Sequence, residues 1–162
     1  MVDGVLFFKD MTRLVCCSRE KSGSYEIPST VRVIDNYAFY TCKKLISITI
    51  PDSITDIASG TFGACSELKT ITIPHSVTSI RDYALNSCFA LESVTIPDSI
   101  TSIGEQAFYA CFRLTSISIP NTVSFIGDRA FYSCMSLKQV SISEGLDYPH
   151  DAFPNLAKMK TH

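Results

Sequence analysis

The chain has 162 residues, 46% of them hydrophobic and 19% charged, the balance of a single folded domain. Its 14 Lys and Arg stand against 16 Asp and Glu for a net charge of −2, with no basic run to neutralise a phosphate backbone, so nucleic acid is not an expected partner. No stretch nears the roughly 20 apolar residues that span a bilayer, so no membrane insertion is expected, and the N-terminus lacks the pattern of a secretory leader. If Met1 is the native start, the expected location is the cytoplasm; if the chain was cut from a longer one, a leader is left open.

Residues 1–26 read as a β-hairpin, with Val5-Leu6-Phe7-Phe8 and Leu14-Val15-Cys16-Cys17 as arms around a turn at Lys9-Asp10-Met11-Thr12. Such a piece is suited to covering the end of whatever follows. Strand alternation places one of Cys16 and Cys17 inward and the other outward.

From residue 27 to 141 an Ile-Pro pair recurs at Ile27, Ile50, Ile73, Ile96 and Ile119, a period of 23 residues that never slips. A period of this length predicts a solenoid, because each unit is too small to bury its own apolar face and becomes stable only when stacked. The fixed columns are the candidate core: Val31, Ile54, Val77, Ile100, Val123; Ile34, Ile57, Ile80, Ile103, Ile126; and Phe39, Phe62, Leu85, Phe108, Phe131. Each unit ends in Leu-x-x-Ile-x-Ile, whose period-two alternation predicts a half-buried strand that the following Pro terminates. Stacked units then build a parallel sheet. The Ala-Phe-x-x-Cys segment, as in Ala107 to Cys111, has the spacing of a single helical turn facing the core. After Ser141 the pattern decays, and Ile142, Leu146, Ala152, Phe153 and Leu156 read as a shortened sixth unit followed by Lys158-Met159-Lys160.

Five of the seven cysteines, Cys42, Cys65, Cys88, Cys111 and Cys134, share one column. A linear row of parallel side chains suits neither disulfides nor tetrahedral zinc, so these thiols are expected to be reduced packing residues, with no metal and no cofactor. The histidines, His75, His150 and His162, share no motif with a cysteine, and no nucleophile and base pair, carboxylate pair or phosphate loop emerges. An enzyme is not expected.

Two outward surfaces follow from the same columns. Beside the turn, Phe89, Phe112 and Met135 fall on successive rungs, flanked by Tyr109 and Tyr132, an apolar aromatic patch of the kind that anchors protein interfaces. The sheet face instead carries a row of hydroxyls that includes Thr49, Thr72, Thr95 and Ser118, which either stabilises the strands or serves as the alternative binding face.

The order Ile-Pro-x-x-Val-x-x-Ile-x-x-x-Ala-Phe-x-x-Cys-x-x-Leu-x-x-Ile resembles the BspA-like, or Treponema pallidum-type, leucine-rich repeats over residues 27 to 141. Thr61 in place of Ala, Leu85 in place of Phe, and a Gly after Ile only at Gly104 and Gly127 are the departures. Asp3-Gly4-Val5-Leu6-Phe7 and Tyr25-Glu26-Ile27-Pro28 are also similar to segments of that family. The resemblance implies a leucine-rich-repeat solenoid, a right-handed coil of five units plus a degenerate sixth (142–162), with a parallel β-sheet on one face, short helical turns opposite and an N-terminal hairpin cap. It further implies a non-enzymatic protein-interaction module of the cell-surface adhesion type, secreted or surface-displayed, with a host matrix or cell-surface protein as ligand. The other reading left open is a structural spacer or intracellular scaffold; the sequence does not set the oligomeric state.

Overall fold

In the computed structural model, which describes residues 1–162, the chain winds as a β-solenoid with two strands in every full coil but the third. The strands in chain order are β1 (Val5–Phe7), β2 (Arg13–Cys17), β3 (Gly23–Glu26), β4 (Val33–Ile34), β5 (Leu45–Thr49), β6 (Asp56–Ile57), β7 (Thr70–Thr72), β8 (Ser79–Ile80), β9 (Ser102–Ile103), β10 (Ser116–Ser118), β11 (Phe125–Ile126), β12 (Gln139–Ile142) and β13 (Lys158–Thr161). The Leu-x-x-Ile-x-Ile segments supply β5, β7, β10 and β12, paired in parallel with Ser47 beside Thr70 and Ser116 beside Gln139. A second parallel sheet, β6-β8-β9-β11, comes from the shorter segment around Ile57, Ile80, Ile103 and Ile126. The alternation puts Ile48, Ile71, Ile117 and Val140 inside and the intervening hydroxyls outside. No helix in the structure is long and apolar enough to cross a membrane.

The hairpin of residues 1–26 forms, with β1 antiparallel to β2. Its β2 pairs in parallel with β4 and the following β3 with β5, so Val5, Leu14 and Cys17 join the continuous core. Cys17 is buried and Cys16 exposed, as alternation requires.

The Ala-Phe-x-x-Cys segment folds differently from the helical turn its spacing suggests. No helix forms; consecutive β-turns take its place. In the third coil Ala84, Asn86 and Cys88 donate N–H groups back three residues, to Arg81, Tyr83 and Leu85, whereas Tyr83, Leu85 and Ser87 donate to Glu105, Ala107 and Tyr109 of the next coil. A helix would turn every one of these donors inward along its own axis, and the stacked coil diverts half of them to its neighbour. The diversion requires left-handed backbone at two positions per coil, such as Tyr83 (φ 60°) and Ser87 (φ 59°). Two such residues cost about 2–4 kcal/mol, and three intercoil bonds at about 0.5–1.5 kcal/mol each offset this. The balance therefore falls to burial of the Phe, Cys and Leu columns.

Phe39, Phe62, Phe108 and Phe131 are fully buried. Phe39 stacks on Phe62, and Phe108 on Phe131, at 5.3 and 4.9 Å between centroids, and Leu85 interrupts the column between the two pairs. Thr61, the Ala-to-Thr departure, is wholly buried and donates its hydroxyl to Ala58 O at 2.7 Å. Gly104 stands where a Cβ would lie 2.5 Å from Asp82 N, so the neighbouring backbone excludes any larger residue.

The third coil is the irregular one. Residues 93–95 form no strand, and a single bridge from Ser93 to Thr70 is all that remains of the ladder there. Ile27, Ile50 and Ile119 each donate to the next coil, at Thr49, Thr72 and Ser141, and Ile73 and Ile96 make no such bond. Ser53 and Ser99 donate to Val31 O and Val77 O one coil back, whereas the equivalent Ser76 hydroxyl is buried without a partner.

The last coil is shortened. Gln139 lies beside Lys158 across β12 and β13, a step of 19 residues where other coils take 23. Ala152 and Phe153 are buried in their expected columns, but Leu156 is 92% exposed, contrary to its assignment to the sixth unit. Leu156 stands three residues after Phe153, where the other coils place their buried Cys, and the chain turns it outward instead. The run Lys158-Met159-Lys160 that follows is part of β13, because β12 offers a free edge in register.

Candidate functional site

The turn region that follows each buried Phe projects two columns outward, and in the C-terminal half these columns are aromatic. Phe89 and Phe112 stack face to face, 4.9 Å between centroids and 5° between planes, while remaining 41% and 36% exposed. Met135 extends the row at 78% exposure. Tyr109 and Tyr132 stack alongside at 6.1 Å, Tyr132 exposed and Tyr109 half-buried. The five residues picked out by column thus fall in two rows, Tyr109 and Tyr132 in one and Phe89, Phe112 and Met135 in the other. The same column begins with Lys43 and Ser66, so the apolar row starts at the third coil, where Leu85 interrupts the inner ring stack.

Thr49, Thr72, Thr95 and Ser118 are all exposed on the other sheet face. Thr49, Thr72 and Thr95 line a shallow groove with Pro51, Pro74 and His75 where the ladder opens. Ser118 lies beyond it, beside β12 and β13.

The cysteine column has a function in the fold that column analysis missed. Cys65, Cys88 and Cys134 each direct Sγ at the carbonyl of the Phe one coil back, at 3.1, 3.2 and 3.1 Å, and Cys111 reaches Leu85 O at 3.4 Å. Those carbonyls already accept an N–H within their own coil, so the thiol supplies a second bond. Burial pushes the Cys88 thiol up to about 12 and raises Cys65 and Cys111 as well. Hydrogen bonding to Cys42, then burial, raises Cys17. Thiols held neutral in this way are poor nucleophiles.

Tyr109 and Tyr132 also wall a cleft of about 350 Å³ completed by Arg129, His150, Asp151 and Asn155. Three of these come from the shortened last coil, which has lost the repeat pattern, so no column pointed to them. The signal available in sequence was Pro154, standing next after Phe153 where Tyr109 and Tyr132 follow theirs.

A solenoid of parallel strands with one Leu-x-x-Ile-x-Ile unit per coil is a leucine-rich-repeat architecture. The model of the BspA type leucine rich repeat region matches six copies over residues 32–160, and the chain belongs to that family. Among solved structures it is similar to the leucine-rich repeat protein of T. pallidum, with 27% identity, a TM-score of 0.76, and coverage of 85% of this chain and 67% of that one. A leucine-rich repeat protein of Bacteroides ovatus shares 31% identity with a TM-score of 0.75, over 88% of this chain and 42% of that one. The pneumococcal vaccine antigen PcpA shares 25% identity with a TM-score of 0.81, over 98% and 41%. The chain thus spans about two-thirds of the first relative and about two-fifths of the other two. No curated protein matches it. Proteins of this repeat class are typically non-enzymatic protein-interaction modules.

Proposed function

We propose that this chain is a non-enzymatic recognition module of the surface-adhesion kind, and that it engages a protein ligand, such as a host matrix or cell-surface protein, through the ridge of Phe89, Phe112 and Met135 flanked by Tyr109 and Tyr132. The observation that carries this reading is the stacked, exposed pair Phe89 and Phe112 continuing into Met135. Large apolar side chains held rigidly in water lose little entropy on binding, and such residues concentrate interface energy. The description of PcpA as a vaccine antigen supports an accessible location for the repeat array. Within the single domain, residues 1–26 serve as the end piece and 27–141 as the repeated body. The hydroxyl row of Thr49, Thr72, Thr95 and Ser118 is the second candidate face.

The test is affinity capture from host matrix and cell extracts, comparing the native chain with Phe112→Ser/Tyr132→Ser at unchanged circular dichroism. Loss of specific partners in the variant supports the ridge; full retention moves recognition to the hydroxyl face. Capture of nothing by either protein favours the spacer or scaffold.

A further inference from the structure

The cleft beside the ridge has a chemistry of its own. Tyr132 stacks on Tyr109 and lines the cleft, and the next coil places Pro154 rather than a third tyrosine after its buried Phe, so no further ring of that column stacks on Tyr132. Across from it, Arg129 Nε donates to Asp151 Oδ2 at 3.2 Å. That bond occupies one donor of Arg129 and one oxygen of Asp151, leaving both Nη groups and Oδ1 available. Asn155 and His150, both exposed, add an amide and a ring nitrogen at the rim, and neither side chain has a partner within the chain.

Three properties define what fits. The Arg129 and Asp151 charges cancel, which gives no preference for an anion or a cation. The polar groups are planar, bidentate and of both donor and acceptor kind, suited to vicinal hydroxyls. Tyrosine centroids 6.1 Å apart leave no room for a flat ring between them, so a ligand lies against the free face of Tyr132. A cleft near 350 Å³ is at the small end of the range for ligand sites. We propose that this cleft binds a pyranose unit of a neutral glycan, its C–H face on Tyr132 and its hydroxyls on Arg129, Asp151 and Asn155. The cleft shares Tyr109 and Tyr132 with the flank of the ridge, but Phe89, Phe112 and Met135 do not line it, so Phe112→Ser separates the two proposals.

Ligand-observed saturation-transfer NMR of the full chain with cellotriose, tri-N-acetylchitotriose and methyl β-D-galactopyranoside tests it. The expected result is transfer to the ring protons of at least one probe, weakened roughly tenfold by Tyr132→Ala, reduced by Asn155→Ala and unchanged by Phe112→Ser. Asn155 is exposed, so its variant decides the matter should Tyr132→Ala fail to fold. The methyl glycoside and the trisaccharides separate a single-sugar site from one that reads a chain, and binding of either upholds the proposal. No transfer to any probe, or undiminished transfer in folded variants of both cleft residues, overturns it.

Discussion

Cys88 Sγ lies 3.2 Å from the carbonyl oxygen of Phe62, one coil back, and the same relationship joins Cys65 to Phe39 and Cys134 to Phe108. The cysteine column is therefore a hydrogen-bonded seam as well as a packing row.

Cys88→Ala removes that bond and leaves a small void, and its expected cost is about 1–2 kcal/mol by urea melting. The pH dependence follows from the raised thiol. Unfolded Cys88 titrates near its ordinary 9.0 and the folded thiol at about 12, so the stabilisation is complete below about pH 9 and is lost as pH rises toward 12. Each such thiol steepens the alkaline decline by about 1.4 kcal/mol per pH unit, and Cys88→Ala makes it shallower by one proton. An unchanged slope in the variant contradicts the buried neutral thiol.

Cys16 alone among the cysteines is exposed. A thiol reagent should modify one cysteine per native chain rapidly and all seven in denaturant, with Cys16→Ser abolishing the fast phase. Rapid reaction of a second thiol in that variant would show that the coil stack opens easily.

Buried Leu91 and exposed Thr95 lie four residues apart in the third coil. Leu91→Ala should cost about 2–5 kcal/mol through its cavity, and Thr95→Ala little, the more so because no ladder constrains residue 95. Equal losses of melting temperature would contradict the inside and outside assignment.

Ser76 and Ser99 occupy the same column but differ in bonding. Ser99→Ala removes a donor to Val77 O and should cost about 1 kcal/mol. Ser76→Ala removes an unpartnered buried hydroxyl and should be neutral or stabilising by about 1 kcal/mol. The two urea midpoints should shift in opposite directions, or only that of Ser99→Ala should move.

Gly60 has φ +62°, and a Cβ there would lie 2.2 Å from the Tyr37 ring. Gly60→Ala is expected to destabilise by about 1–2 kcal/mol, with partial recovery in a Tyr37→Ala background, since Tyr37 is exposed and its ring can be removed without a core cavity. No recovery would place the whole effect in the backbone.

How much of this was legible in sequence depended on what each residue does with its side chain. Ile48, Phe108 and Leu114 repeat because they pack, and the period exposes them at once. Tyr83 and Ser87 adopt left-handed backbone through hydrogen bonds made by the main chain, which leaves no mark on residue type, so the spacing suggested a helix where turns occur. The open ladder at residues 93–95 is equally silent, since Val94 and Thr95 are ordinary strand residues. Phe89, Phe112 and Met135 were legible as a row because they share a column. Arg129, Asp151 and Asn155 were not, because the shortened coil brings them together outside any repeat.

The main-chain donors that join Tyr83 to Glu105 and Ser87 to Tyr109 have a further consequence. Coil-to-coil adhesion along the turns is supplied by main-chain atoms that every amino acid except proline possesses, so the exposed side chains above them are largely free of obligation to the fold. Substitution can rewrite that surface residue by residue, as the change from Lys43 to Phe89 and Met135 within one column already illustrates. New specificities are thus reachable by single steps that leave the architecture untouched.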